Sequence, residues 1–419
     1  MRFLRSKFLL YATAFIFLLF MTSDFGLVNI ERTAIIMALG VDYLKEENEF
    51  EVTAQLAIPQ PSSNASSENK DSLISEKGKT IADAIDKIGI MTGWYPMLSF
   101  CNLILIGSDM LSLNVMKSLN YFIKTDKFED SAHIACAEGT AKDILSSSTP
   151  LDSISSFTIQ KILGKDIAKL DRIADVSIKD FALSFYTKSQ CGYMPLLKKI
   201  KITGSSDDGA TQTSKTQSGL EGGVVLTNTG GSNGSSDKQG KDQYVFDASS
   251  TILFDKGNFV ATLTPEETLF FNLEHKNSFD TFLSLEDVEI DGKKFDVMLG
   301  VNEHYKNYKL KFIDGVPTFV VDIVFFCKYE DANTQYDVSE LIPTSPLPEE
   351  VLISAEKKIN ETLTSLFEKL QTSNCDLFQF KNALYKFHYS HYEEFKDNIL
   401  SKTVLKANVD CQSEKSTRL

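Results

Sequence analysis

The first two dozen residues constrain this chain most, because they decide on which side of a membrane the rest of it folds. Arg2, Arg5 and Lys7 precede an uncharged apolar run, Phe8–Met21. A short apolar helix partitions into a bilayer while the cations before it stay in the cytoplasm, so everything after the run is expected outside the cytoplasm. Its length fits a signal sequence, whereas the missing Ala-x-Ala-like cleavage site favours an uncleaved anchor. We therefore expect residues 1–23 to form a signal or anchor segment.

Composition excludes some partners and cofactors. A chain of 419 residues is long enough for two or three domains. Its net charge of −14 provides no basic footprint for nucleic acid, so no nucleic-acid partner is expected. The cysteines are widely spaced, which predicts neither a disulfide framework nor a zinc site. They are Cys101, Cys136, Cys191, Cys327, Cys375 and Cys411.

The chain after the apolar run begins with a predicted β-hairpin and a helix. Thr33–Val41 is nearly all apolar, as in a strand buried on both faces, and Phe50–Ile58 alternates as in a half-buried strand. The serine-rich segment Pro61–Lys79 is predicted to be a loop. Thr80 then has the position of an N-cap, with Asp83 three residues on.

A parallel strand pair is predicted next. Strand Phe100–Ile106, helix Leu111–Ile123 and strand Ala132–Ala137 have the spacing of a βαβ unit. This pattern predicts an N-terminal α/β domain over residues 30–150. Further helical patterns predict a helical connecting region over residues 151–202.

A glycine- and serine-rich insert separates the two halves of the chain. Thr203–Gln243 contains nine of the 22 glycines and few apolar residues. Such a segment buries too little surface to offset its ordering entropy, so a flexible insert is expected. It lacks the preceding strand and the Gly-Lys-Ser/Thr ending of a phosphate loop.

The last part, residues 244–419, is predicted to form a C-terminal α+β domain, an antiparallel sheet packed with long helices. Predicted strands are Ala248–Phe254, Asn258–Leu263, Phe295–Leu299, Tyr308–Phe312, Thr318–Tyr329 and Leu405–Cys411. One predicted helix begins after Thr264, the N-cap of a capping box that Glu267 closes. Two further predicted helices cover Pro348–Gln371 and Phe380–Ile399. The expected fold is therefore multi-domain, mixed α/β and α+β.

Few residues have the pattern of a catalytic or metal site. His388 and His391 lie one helical turn apart with Glu394 beyond them, but the order differs from His-Glu-x-x-His. We favour a solvent-facing or aromatic-packed pair. The carboxylate pairs Asp152 with Asp166 and Glu266 with Glu267 are better explained by helix capping than by acid–base chemistry. No catalytic, cofactor or metal residue is therefore assigned.

One aromatic cluster is a possible ligand site. Trp94, Tyr95 and Phe100 follow the first predicted helix closely. Such clusters more often pack in a core, and this is the interpretation that we favour.

Several segments, taken in order, resemble the C subunits of spore-germination nutrient receptors, the Ger(x)C family. In the first half they are NIERTAIIMALGVDY, EFEVTAQLAIPQP, GKTIADAIDKIG, LSFCNLILIGSDML and AKDILSSSTPLDSI. In the second half they are FDASSTILFDKGNFVATLTPEETLFF, CDLFQFKNALYKFH and TVLKANVD. Each motif is weak alone, but their order and spacing are specific.

The resemblance implies a non-enzymatic subunit of a germinant receptor at the spore inner membrane, beside membrane-embedded A- and B-type subunits. It gives no catalytic residue, and whether the subunit contacts the germinant stays open. Family members typically carry a lipid on a cysteine after the signal run. Here Ser23, Asp24 and Phe25 stand near that point and the first cysteine is Cys101, so lipid attachment is not expected. Two other functions remain: an exported solute-binding protein, with Trp94 in its pocket, and a cell-wall-active enzyme.

Overall fold

A computed structural model describes most of the chain outside its first residues and the insert. The described residues are 11–17, 33–57, 72–125, 127–152, 154–164, 171–202, 242–275, 280–290, 292–333 and 346–414. Of the predicted signal or anchor segment, residues 11–17 are helical and the others lie outside the described ranges. The predicted insert also lies outside them, except for its last two residues. Within the described ranges, no helix has the length and apolar character needed to cross a bilayer.

The first sheet has nine strands among the described residues. They are β1 (Thr33–Leu44), β2 (Glu49–Ala57), β3 (Ser72–Gly78), β4 (Tyr95–Met97), β5 (Leu103–Gly107), β6 (His133–Ala137), β7 (Cys191–Lys201), β8 (Tyr244–Asp255) and β9 (Asn258–Leu263). Their order is β3-β2-β1-β5-β6-β7-β8-β9, and β4 pairs with the start of β1. β1 pairs antiparallel with β2, and β5 pairs parallel with β6. The predicted hairpin and βαβ unit are therefore confirmed.

Strand β3 corrects the loop predicted over Pro61–Lys79. It forms an antiparallel edge with β2. A polar edge strand still satisfies its backbone through its neighbour, so the polar sequence of β3 conceals it from a pattern based on apolar side chains.

Helices cover both faces of the first sheet. They are α1 (Ile81–Thr92), α2 (Val115–Ser118), α3 (Asn120–Lys124), α4 (Ala141–Leu145), α5 (Ser155–Leu163) and α6 (Ile178–Ser184). One core packs Ile85 and Phe181 against Leu39 of β1, and the other packs Ile159 against Leu105 of β5. Burial on both faces explains why β1 and β5 are almost continuously apolar. The predicted helix Leu111–Ile123 is shorter and broken, since a 3-10 turn precedes α2 and α3.

The second sheet has four strands within the described residues. They are β10 (Asp280–Ile290), β11 (Lys293–Ile313), β12 (Val316–Asn333) and β13 (Val404–Ser413), in that order. β11 unites two strands that the sequence predicts separately. β10 was not predicted, because a register shift between Leu285 and Val288 interrupts its alternation. β13 pairs parallel with β12, so the sheet is antiparallel only in its first three strands; a helical crossover brings the chain back in the same direction.

Helices α7 (Pro265–His275), α8 (Glu349–Ser373), α9 (Phe380–Phe387), α10 (Tyr392–Phe395) and α11 (Ile399–Lys402) accompany this second sheet. α8 confirms the predicted long helix, and its buried stripe includes Ala355 and Ile359, which pack with Val321 and Phe325 of β12. The single helix predicted over Phe380–Ile399 is instead broken, because the backbone leaves helical geometry at His388. The mixed α/β and α+β fold class is confirmed.

Local capping signals were predicted correctly. Asp83 N donates to Thr80 Oγ1 at 3.1 Å, which starts α1. Glu267 N donates to Thr264 Oγ1 and Thr264 N donates to Glu267 Oε2, at 3.2 and 2.9 Å, which closes the predicted box at α7. These signals depend on residues three apart, so sequence alone identifies them.

The two sheets are joined where β7 begins and α8 ends. Cys191 and Cys375 form a disulfide there, with Cα atoms 5.9 Å apart, although the sequence predicts none. Their separation of 184 residues conceals the pair from spacing rules. Beside the disulfide, Ser189 Oγ donates to Asp376 Oδ2 at 2.6 Å. A shared apolar cluster contains Cys191, Leu253, Leu263, Phe271, Leu366, Leu370, Cys375 and Leu377.

The sheet topology does not follow the predicted division at residue 244. Strands β8 and β9 follow that position, yet β8 pairs with β7 and β9 pairs with β8 in the first sheet. The predicted helical region 151–202 likewise ends in strand β7. The reason is that β7 and β8 form an antiparallel pair interrupted only by the insert between them. The domain limits remain predictions.

Candidate docking surfaces

An exposed apolar patch lies at the end of α1. The helix buries Ile81, Ala84, Ile85 and Ile88 on one face. Ile90 and Met91 in the last turn lie outside this buried face and are exposed. Gly93 then adopts a left-handed conformation, with φ of 69°, which ends the helix and directs the chain into β4. Ile90, Met91, Trp94 and Tyr95, which we call the apolar patch, are thereby left at the surface.

The apolar patch contradicts the favoured core interpretation of the aromatic cluster. Its four side chains are between 46% and 72% exposed, and Phe100, five residues beyond Tyr95, is 52% exposed. Ile90, Trp94 and Tyr95 line one cleft of about 650 Å³ with Lys127. Sequence periodicity identifies the buried stripe of α1 but not the direction of the chain after Gly93, which is why the interpretation failed.

A second exposed aromatic surface lies beside the disulfide. Tyr186, Tyr385 and Tyr389 are exposed and Tyr392 is half-buried, and we call these four residues the tyrosine surface. The rings of Tyr389 and Tyr392 stack with centroids 5.8 Å apart. The Tyr385 ring lies 4.8 Å from Lys188 Nζ, and these residues share a cleft with Tyr186. The sequence analysis missed this surface, because Tyr186 and Lys188 lie far from Tyr385 in the sequence.

The two histidines serve packing. His388 Nε2 lies 3.0 Å from the carbonyl oxygen of Leu310. The His391 ring stacks on Phe312 with centroids 4.2 Å apart, and Glu394 is exposed. The structure therefore shows the aromatic-packed arrangement. Among the described residues, no three His, Cys, Asp or Glu side chains lie close enough together to hold a metal ion.

The predicted carboxylate pairs are not brought together for acid–base chemistry. Asp152 accepts hydrogen bonds from Thr158 Oγ1 and Lys161 Nζ, and the bond from Lys161 lowers its pKa. Asp166 lies outside the described residues. Glu266 pairs with Lys358 at 3.1 Å.

Glu267 is buried in the capping box and also accepts hydrogen bonds from the C-terminal part of α8. It accepts from Lys369 Nζ and from Ser365 Oγ. Burial alone would raise the pKa of Glu267, but the hydrogen bonds from Lys369, Thr264 and Ser365 outweigh it and lower that pKa. An ionised carboxylate with all these donors stabilises the fold and is a poor general base.

Two further buried carboxylates were missed by the sequence analysis. Asp42 of β1 accepts from the backbone N–H groups of Ala141 and Lys142, at 2.7 and 3.0 Å, and so caps α4. Asp376 accepts from Phe380 N and Lys381 N, at 2.7 and 2.8 Å, and caps α9. Burial raises the pKa of both carboxyls. The Asp42 cap joins residues 99 positions apart, so no local spacing signals it, whereas Asp376 lies only four residues before Phe380.

The four cysteines outside the disulfide are buried thiols. They are Cys101, Cys136, Cys327 and Cys411. Burial raises the pKa of Cys101 to about 12 and raises the pKa of Cys136 as well. A thiol that stays protonated and inaccessible is no nucleophile.

A groove at the start of α1 is lined by lysines. It has a volume of about 940 Å³ and lies between the start of α1, the end of the β1–β2 hairpin and helices α2 and α3. Lys79, Lys117 and Lys124 line it, and its described lining contains no carboxylate. The groove lies within the part of the chain built on the first sheet, which we call the first unit; the part built on the second sheet is the second unit. A solute-binding protein requires a site between two lobes, and this groove does not have that arrangement.

The chain was compared with known proteins. Residues 27–199 match the family model described as spore germination protein N-terminal domain. Residues 249–416 match the model described as spore germination B3/GerAC like, C-terminal. A solved structure described as the crystal structure of the GerBC protein is 15% identical, with a TM-score of 0.46 over 90% of this chain and 96% of that chain. No curated protein matched the chain.

Proposed function

This chain belongs to the GerAC-like, or Ger(x)C, family of spore germination proteins, and we propose that it acts as a non-enzymatic subunit of a germinant receptor complex. The observation that carries the proposal is that both family domains match, one on each side of the insert. The matches leave residues 200–248 uncovered, which contain the predicted insert. The N-terminal domain model thus matches before the C-terminal one, and the predicted insert lies between the two matches.

We further propose that the protein works on the outer face of the spore inner membrane, beside the membrane-embedded A- and B-type subunits. The basic residues and the apolar run of residues 1–23 support an uncleaved anchor, since no cleavage motif follows and no cysteine is present there to carry a lipid. The negative net charge supports a role that involves no nucleic acid.

A non-enzymatic role is supported by how the candidate reactive groups are used. Asp42, Glu267 and Asp376 cap helices, and His391 packs on Phe312. Docking to protein partners is supported by the tyrosine surface, because tyrosine is enriched at interfaces, where it combines a large apolar ring with a polar end.

Germination assays test the proposed function. Spores that lack this chain should lose the response to at least one nutrient, measured as the fall in optical density, and the intact chain should restore it. The double variant His391→Phe and Glu394→Gln should restore it equally, since phenylalanine keeps the ring on Phe312 while only His388 of the three candidate metal ligands remains. Normal germination without the chain, or failure of the double variant despite normal protein levels, contradicts the proposal.

We propose that the insert 203–243 is flexible and dispensable for folding of the two units. Limited proteolysis of the full chain should cut there first, because the segment offers almost no apolar side chains to a core. The fragments should stay associated under non-reducing conditions through the Cys191–Cys375 disulfide. Equal protection of the insert and of strand β12 contradicts this division of the chain.

A further inference from the structure

The apolar patch lies where the chain enters the first sheet. Tyr95 of β4 pairs with Thr33 in parallel register, and Thr33 is the first residue of β1. Trp94 therefore lies next to the end of β1 that is closest in sequence to the predicted anchor. Phe100 precedes β5, which runs parallel to β1, so it lies at the same end of the sheet.

The connection between anchor and sheet is short. Met21 ends the apolar run, and Thr33 begins β1 twelve residues later. A fully extended chain of that length spans at most about 40 Å, so this end of the sheet stays close to the membrane surface. The β1–β2 turn at the other end of β1 is about 36 Å further away along the strand, at about 3.3 Å per residue.

We propose that the apolar patch rests on the lipid bilayer, with the Trp94 and Tyr95 rings among the head groups and Ile90 and Met91 directed at the acyl chains. This inference rests on the anchoring part of the proposed function. It makes the first unit a membrane-seated body whose β1–β2 turn points away from the membrane.

The chemistry of the patch favours lipid over a protein partner. Trp and Tyr concentrate at membrane interfaces, because an apolar ring carries one polar group that stays in the hydrated layer. Ile90 and Met91 add apolar area without charge. Lys127 and Asp86 line the adjoining cleft together, so the patch has no excess of cations. Contact should therefore depend on apolar insertion more than on anionic lipid.

The chain contains one tryptophan, which makes Trp94 a direct reporter of this contact. The full-length protein is reconstituted into phosphatidylcholine vesicles, with and without lipids brominated near the head-group end of the acyl chains. We expect brominated lipid to quench Trp94 emission strongly and aqueous iodide to quench it weakly, with little change at high salt. Emission quenched by iodide and not by brominated lipid would overturn the proposal.

A matched control places the reporter at the opposite end of the sheet. The double variant Trp94→Phe and Glu46→Trp carries its tryptophan in the exposed β1–β2 turn. Its emission should respond to iodide and not to brominated lipid. If brominated lipid quenched the tryptophan equally at both positions, a specific contact between the apolar patch and the bilayer would be refuted. Shielding of Trp94 only after partner subunits are added would also overturn it, in favour of a protein contact.

Alkaline carbonate extraction separates this proposal from the anchor on which it rests. If the chain resists extraction but iodide still quenches Trp94, the membrane contact of the apolar patch is refuted while the anchor is supported. A chain that is extracted refutes the anchor, and this proposal with it. The germination assay is independent of both outcomes.

Discussion

Removal of the Cys191–Cys375 disulfide is expected to destabilise the protein more than loss of any other single covalent or polar link at the junction. The bond closes a loop with a sequence separation of 184 residues. In the chain-entropy model, opening a loop of this size costs about 5 kcal/mol. The apolar cluster around both sulfurs and the Ser189–Asp376 hydrogen bond remain when the bond is reduced, so the two units should stay packed in the native state.

Urea unfolding of the detergent-solubilised full chain, followed by circular dichroism, measures this cost. Cys191→Ala, Cys375→Ala and the double variant should all lose about the same stability, because either single change removes the whole crosslink. Dithiothreitol should lower the stability of the wild type and leave the variants unchanged. Cys136→Ala, which removes a buried sulfur outside any loop, should cost only about 1 kcal/mol.

Additive losses from the two single variants would refute the disulfide, since independent thiols act separately. A wild-type protein whose stability in urea is unchanged by dithiothreitol would refute the disulfide as well.

Three further predictions concern particular side chains, each checked by urea unfolding. Phe325→Asp forces a charge onto the buried face of β12 and should cost more than about 4 kcal/mol, while Asp322→Asn on the other face should be tolerated. Glu267→Gln should cost about 2 kcal/mol at neutral pH. The pKa of Glu267 is lower in the folded protein than in the unfolded chain. The ionised carboxylate therefore stabilises the fold above the unfolded pKa, and this stabilisation is lost as the pH falls through the folded pKa. The difference in stability between the wild type and Glu267→Gln should thus shrink in acid. Gly107→Ala places a Cβ in a clash with Asp42 Oδ1 and should cost about 2 kcal/mol through loss of the α4 cap. The same change should cost little in an Asp42→Ala background.

Local features of the fold could be predicted from the sequence because their causes are local. The cap at Thr80, the box at Thr264 and the buried stripe of α8 depend on residues three or four apart. The same holds for the β1–β2 hairpin and for the βαβ unit, in which the strands follow each other along the chain.

Features that join distant residues could not be predicted in this way. The disulfide, the cap that Asp42 gives to α4 and the pairing of β7 with β8 across the insert have no short-range signal. The sequence identified Trp94 and its neighbours as a cluster, but exposure depends on how the chain turns at Gly93, a property of the assembled sheet.

Co-purification from spore membranes tests the central claim of a receptor subunit most directly. The chain is expressed with a C-terminal tag, spore membranes are solubilised in mild detergent, and the captured material is analysed by mass spectrometry. We predict that A- and B-type germinant-receptor subunits are captured together with the tagged chain. Recovery of the chain from the membranes without either subunit, at normal levels of both, would contradict the claim.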